Sequence, residues 1–254
     1  MWVFCGGMFR SGSTVQYQIA SHLIEHYARG RRITWHSPDE FEAVRLAHAA
    51  EPGWLVFKAH GLTRAMREEL DRRGGRVITV HRDIRDVVVS ALRKNGWTFC
   101  HVWNNGYLHR WTRRFDEWAS LPGALVSRYE HLAEGLEHEA RRIAGLLELP
   151  ADDGLVAAVA AEYAIERQRE RLVDIRTERA RRIGIKFDPH SLLHFNHVAS
   201  GEVGIFRRVL APAEIRAIED VCGGWMDRWG YPRADVTLSV ADRLRRWSLG
   251  RTAA

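Results

Sequence analysis

Along the chain, short unbroken apolar runs alternate with longer stretches in which apolar positions recur every three or four residues. The first run, Trp2 to Cys5, stops at glycines. Residues 14–27 then carry Val15, Ile19 and Leu23 at helical spacing, with Ser13 and Thr14 in place as caps. Residues 54–58 follow Pro52 and Gly53, residues 76–81 follow Gly74 and Gly75, and both read as strands, with a helix over 63–73 between them. A helix over 84–94, more helix through an aromatic-rich segment to about residue 118, and a fourth strand over 124–129 complete this pattern. Near-continuous apolar strands that alternate with helices predict an α/β fold: a mostly parallel central sheet with helices on both faces, opened by a strand, a loop and a helix. Beyond residue 129 the pattern turns mainly helical, with helices expected over 138–149, 154–182 and 212–229.

A hydrophobic content of 46% is ordinary for a globular chain, and 254 residues fit one core. The expected organisation is a single domain over 1–254, made of an α/β core over about 1–130, a mainly helical part over about 131–240 and a loose tail over about 241–254. The mixture of arginines with Glu166, Glu170, Asp174 and Glu178 predicts a solvated helix face laced with local ion pairs.

The net charge of +6 and a pI near 9.6 favour an acidic partner, be it nucleic acid, an anionic membrane surface or a polyanionic small molecule. Three of the 38 cations are lysines (Lys58, Lys94, Lys186), and the arginines are spread among acids rather than clustered with aromatics, which ranks nucleic acid last. The apolar runs fall well short of the roughly 20 residues that cross a bilayer, so no membrane span is expected. With no basic, apolar and small-residue succession at the start, the expected location is the cytoplasm. Cys5, Cys100 and Cys222 lack any metal or redox spacing and are expected to be buried, reduced thiols. Nothing in the sequence sets an oligomeric state.

The candidate chemistry begins at "CGGMFRSGST", residues 5–14. The phosphate-loop pattern asks for glycine, four residues, then Gly-Lys-Ser/Thr; here Gly7 is followed by four residues and Gly12, Ser13 and Thr14. The lysine is missing, and a cation, Arg10, stands inside the loop. Glycines let such a loop turn its amides inward while the next helix adds the positive end of its dipole, which suits an anion. A glycine turn with serines is also an ordinary strand-to-helix connection. A second candidate is "HRDIRDVVVS", residues 81–90, where Arg82 follows a strand and Ser90 lies in the next helix. In an open α/β sheet, ligands bind beyond the carboxyl ends of the strands. The competing account makes Arg82, Asp83, Arg85 and Asp86 a solvated turn with local ion pairs.

Together, "FRSGST" and "HRDIRDVVVS" resemble the two nucleotide-binding motifs of sulfotransferases that use 3′-phosphoadenosine 5′-phosphosulfate (PAPS) and release 3′-phosphoadenosine 5′-phosphate (PAP). The resemblance implies that Arg10, Ser11, Gly12, Ser13 and Thr14 cradle the 5′ side and that Arg82 and Ser90 hold the 3′-phosphate, with no metal required. "VFKAHG", residues 56–61, is similar to the family's Lys-x-His segment, which implies His60 as the base and Lys58 and Arg10 as cations for the leaving phosphate. "RYEHL" resembles a Tyr-Glu segment, placing Tyr129 near the adenine. "ASGEVGIFRRVLAPAEI", from Ala199, partly matches the C-terminal Arg-Lys-Gly-x-x-Gly motif: Gly201 and Gly204 fit, but Ala199 and Ser200 replace the two cations, leaving Arg207 or Arg208 to substitute. Val15 stands where cytosolic members carry a tryptophan, so adenine stacking has no assigned residue.

The resemblance implies sulfuryl transfer to a hydroxyl or amine of a small-molecule, lipid or carbohydrate acceptor. His101 and His109 are alternative bases. Trp97, Phe99, Trp103, Tyr107, Trp111, Phe115 and Trp118 have the spacing of a helix face in the core, and the alternative is that some line the acceptor pocket. A phosphotransferase is the competing enzyme class; Asp83 and Asp86 are its nearest magnesium ligands. A basic nucleic-acid-binding module is the third reading.

Overall fold

The structure is a computed structural model that describes residues 1–179, 187–194 and 201–242. The chain forms two compact units, Met1–His81 with Arg114–Gly201 and Arg82–Arg113 with Glu202–Ala254. The first holds a parallel sheet of five strands: β1 (Trp2–Cys5), β2 (Gly30–Arg32), β3 (Trp54–Lys58), β4 (Gly75–His81) and β5 (Leu125–Arg128). Their order is β2-β3-β1-β4-β5, so the earliest strand lies at the centre, with Cys5 opposite Lys58 on one side and Ile78 on the other.

Alternate residues of these strands feed two cores, as the pleat requires. On one face Val3, Cys5, Val56 and Ile78 pack with residues of α1 (Ser13–His26), α8 (Leu136–Leu146) and α9 (Asp153–Tyr163). On the other, Trp2, Phe4, Leu55 and Phe57 pack with Phe41 and Val44 of α2 (Phe41–Ala47), Met66 of α3 (Arg64–Arg73) and Trp118 of α6 (Tyr107–Ala119). Phe41 is fully buried, with its ring 5.0 Å from Trp2, 5.1 Å from Phe4 and 5.3 Å from Phe57. Each such side chain contributes about 1.5–3 kcal/mol by leaving water. A buried carboxylate fixes α1 from behind: Glu139 on α8 accepts from Gln16 at 2.7 Å and from Ser127 on β5 at 2.6 Å.

The second unit holds α4 (Ile84–Asn95), α5 (Phe99–Asn104), α11 (Phe206–Val209) and α12 (Pro212–Arg228), and the boundary between units falls within α6. Asp83 caps α4 by accepting from the Arg85 amide, and Gly96 ends it in the left-handed conformation. Trp97, Tyr107 and Trp111 stack in sequence at 4.9 and 5.4 Å.

The predicted α/β layering is present, with several corrections. Strand β2 was not predicted, because Gly30, Arg31 and Arg32 offer no apolar run. Neither was α2, nor the short 3-10 turn before it (Pro38–Glu40). Helix α1 is headed by Gly12 rather than capped by Ser13 or Thr14. The helix expected over 138–149 starts at Leu136 and follows a separate α7 (Tyr129–Glu134). The helix expected over 154–182 breaks at Ala164, whose ψ of 150° leaves the helical region, giving α9 and α10 (Ile165–Arg179). On α10 the expected surface pairs include Arg167–Glu170 at 2.8 Å, whereas Gln168 and Leu172 turn inward. Cys5 and Cys222 are buried, but Cys100 is exposed on the short α5. Residues 180–186, Ala199, Ser200 and most of the expected tail lie outside the described residues. Among the described residues no helix is long and apolar enough to cross a membrane.

Candidate active site

In the first unit, β1 delivers the chain into the loop over residues 6–12, and β4 shapes that loop. The Gly6 amide donates to Ile78 O at 2.8 Å and the Met8 amide to Val80 O at 3.0 Å. Gly7 has φ 125°, and a Cβ there would come within 2.8 Å of Val80 O, so both conformation and space demand glycine. Ser11 is fully buried, and its hydroxyl lies 2.6 Å from Met8 O and 2.9 Å from Val80 O, serving the loop itself. Arg10 is held in the left-handed region at φ 61°. Gly12, at φ 97°, leads into α1 without a side-chain cap, so the helix presents its first amides and dipole end to an anion.

The lysine missing from the loop has a counterpart at the end of the neighbouring strand β3. Lys58 ends β3 beside Cys5, is 7% exposed, and points its Nζ to within 3.4 Å of His60 Nε2. Burial, reinforced by the charge of Arg10, lowers its pKa from 10.5 to about 8. His60 Nδ1 lies 3.4 Å from Gly7 O. A carbonyl can only accept, so this contact assigns a proton to Nδ1, with Nε2 turned to Lys58. Phe9 meets the His60 ring edge-on at 5.5 Å. Trp118, read from sequence as core, also donates its indole N–H to His60 O at 3.2 Å, and a Cβ on Gly6 would lie 2.5 Å from its ring.

Tyr129 follows β5. Its ring lies against Gly12, where a Cβ would approach it to 3.1 Å, and its hydroxyl donates to Gly201 O at 3.0 Å. Arg10, Ser11, Gly12, Lys58, His60, Tyr129 and Gly201 are thus parts of one unit. His81, at the end of β4, packs on Phe115 and is held down to about 3 by burial and then by Arg128 and His131, so it is neutral at working pH.

The second unit corrects the solvated-turn account of residues 82–86. Arg82, Asp83, Arg85 and Asp86 are 6%, 7%, 1% and 0% exposed, so all four are buried. Arg85 donates to Asp83 at 2.6 and 2.9 Å, to Glu219 at 2.6 Å and to Pro232 O at 3.0 Å, and lies over the Phe206 ring at 4.1 Å. Burial opposes its charge, but Asp83 and Glu219 outweigh burial and raise its pKa. Arg82 donates to Glu202 O at 2.8 Å and lies 3.4 Å from Asp86. Ser90 is half-buried on α4; Arg207 is exposed with its guanidinium over Phe206, and Arg208 pairs with Glu202. His101 and His109 are exposed in this unit. In the aromatic segment Phe99, Trp111, Phe115 and Trp118 are buried as core, whereas Trp97, Trp103 and Tyr107 are half-buried.

The model of the sulfotransferase domain matches residues 3–230. Among solved structures, retinol dehydratase in complex with androsterone and the inactive cofactor PAP is similar with a TM-score of 0.63 at 19% identity, covering 93% of this chain and 82% of that one. A mouse sulfotransferase, SULT7A1, complexed with PAP gives 0.64 at 14% identity, covering 98% and 88%. At these identities the likeness is one of fold. Among curated proteins none matches.

Proposed function

Because the chain belongs to the sulfotransferase domain family, we propose that it moves the sulfuryl group of PAPS to a hydroxyl or amine of a small-molecule, lipid or carbohydrate acceptor. The observation that carries this reading is the buried Lys58 beside His60 at the end of β3, a lysine next to a loop whose own sequence has arginine but no lysine. When bound, PAPS supplies an activated sulfuryl group on a 5′-phosphate leaving group. The loop amides and the start of α1 hold the 5′ side, together with Arg10, Gly12, Ser13 and Thr14, while the Ser11 hydroxyl keeps the loop in shape. Arg82 and Ser90 hold the 3′-phosphate, with Arg207 as the added cation, and Tyr129 and Gly201 bound the nucleotide. Arginine suits these places because it makes paired, charge-assisted bonds to phosphate.

His60 Nε2 takes the acceptor's proton as the new S–O bond forms. The contact of its Nδ1 with Gly7 O favours the tautomer that such a base needs, and histidine is the side-chain type suited to exchanging a proton with an acceptor. Lys58 and Arg10 stabilise the charge left on the phosphate oxygen as the old S–O bond breaks. A magnesium-dependent phosphotransferase is disfavoured on a specific observation: Asp83 and Asp86, its candidate ligands, are engaged by Arg85 and by backbone amides.

The test is a thermal-shift titration with PAP against ADP plus magnesium. At about a hundred times its dissociation constant, a ligand adds roughly 2.7 kcal/mol, which raises the melting point of a chain of this size by several degrees. PAP alone is expected to do so. Stabilisation by ADP with magnesium and not by PAP overturns the proposal.

A further inference from the structure

We infer that Asp86 is a positioning residue that presets the 3′-phosphate site, holding Arg82 and the turn over residues 202–206 in one arrangement. The inference rests on the proposed role of Arg82 and concerns what keeps that arginine and its surroundings in place.

Asp86 is wholly buried, and donors converge on both of its oxygens. Oδ2 accepts from the Gly204 amide at 2.8 Å and lies 3.4 Å from Arg82 Nη2, while Oδ1 accepts from the Phe206 amide at 3.0 Å. Arg82 in turn donates to Glu202 O at 2.8 Å. One carboxylate therefore fixes residues 204 and 206, and the arginine beside it fixes residue 202. Behind the turn, Phe206 lies under Arg85, which Asp83 and Glu219 anchor. Burial raises the pKa of Asp86, against the opposing pull of Arg82 and the two amides.

The sequence gives this clamp its significance. The family motif places arginine and lysine just before the first glycine, and this chain has Ala199 and Ser200 there. With those two cations absent, affinity for a 3′-phosphate depends more heavily on how well Arg82 and the amides of the turn are held before the ligand arrives. An asparagine cannot replace the carboxylate: it has one acceptor oxygen, and its NH2 would face an N–H donor.

The experiment compares PAP with AMP, which lacks the 3′-phosphate, on the full chain and on Asp86→Asn, with Glu69→Gln on α3, outside both candidate anion sites, as a control for loss of a buried carboxylate. The unaltered chain is expected to bind PAP far more tightly than AMP. Asp86→Asn is expected to weaken PAP by about 10- to 100-fold, the scale for residues that orient a binding group, while AMP changes by less than about twofold. Glu69→Gln is expected to lower the melting point and keep the PAP-to-AMP ratio. If the unaltered chain does not distinguish the two nucleotides, the 3′-phosphate reading itself fails. If it does and Asp86→Asn keeps the ratio, that reading stands and the role of Asp86 is overturned. Should Asp86→Asn not fold, amide hydrogen exchange on the unaltered chain decides: Gly204 and Phe206 are expected to be protected without nucleotide, to within about tenfold of their protection with PAP, and unprotected exchange without nucleotide overturns the inference.

Discussion

The loop at residues 6–12 and the buried group around Arg82 are both candidate anion sites, yet they are built from different materials. The loop is shaped by glycines, carbonyls and a serine hydroxyl, and its cations stand at strand and loop ends. Around Arg82 the shaping groups are carboxylates: Asp83, Asp86 and Glu219 hold arginines and amides in a dry interior. The first design leaves a buried lysine whose charge is easily lost, the second uses acids to hold buried guanidinium groups in place. The lesson is that a positive site can be positioned by backbone or by negative charge, and the two fail differently.

The largest expected effect tests the second design. Glu219→Ala leaves Arg85 buried with one carboxylate fewer, and removing one partner of a buried pair typically costs about 3–5 kcal/mol. Chemical denaturation is expected to show that loss, and a change below about 1 kcal/mol would mean that water replaces the carboxylate. Next, His60→Ala is expected to lower kcat on the order of a hundredfold or more while the Kd for PAP stays within about twofold. Equal losses in both would remove His60 from the base role.

A pH series separates the two designs further. Folding lowers the pKa of Lys58 to about 8 from 10.5, so between those values the unfolded chain keeps a proton that the folded chain releases. Stability without ligand is therefore expected to rise through that window from this group. An anionic nucleotide favours the protonated lysine, so PAP affinity is expected to fall, by up to about tenfold per pH unit above 8. Lys58→Arg, which stays charged, is expected to flatten both slopes. The smallest effect is Ser11→Ala: it removes a bond within the loop and is expected to lower stability by about 1 kcal/mol while changing PAP affinity by less than about threefold.

How much of this was legible in the sequence follows from the range of the interactions. Strands β1, β3 and β4 announced themselves as apolar runs because both faces of the sheet are covered there, and the half-buried β5 by its short apolar start. Strand β2 escaped because three residues of glycine and arginine carry no such signal; it is defined by pairing with β3. The loop was found through the local spacing of its glycines, and Lys58 and His60 through the resemblance of their segment to one of the family's motifs. What stayed hidden was long-range: Arg85 meets Glu219 across 134 positions and Asp86 meets Phe206 across 120, and no local pattern predicts that a cluster of four charges will be buried. Trp118 shows a subtler limit, since an indole that packs as core and donates to His60 O has the same helical spacing as one that only packs.

The position of β1 also bears on how the molecule assembles. The strand that comes first in the chain pairs with β3 and β4, and the amide of Met8 waits for the carbonyl of Val80. During synthesis, the loop over residues 6–12 has no partner to bend against until β4 has been made. Parallel pairings of such long sequence separation close slowly, because loop-closure entropy is lost before contacts compensate. In refolding, the ability to bind nucleotide on the 5′ side is thus expected to arrive late, together with docking of the fourth strand, and it would serve as a reporter of a completed sheet.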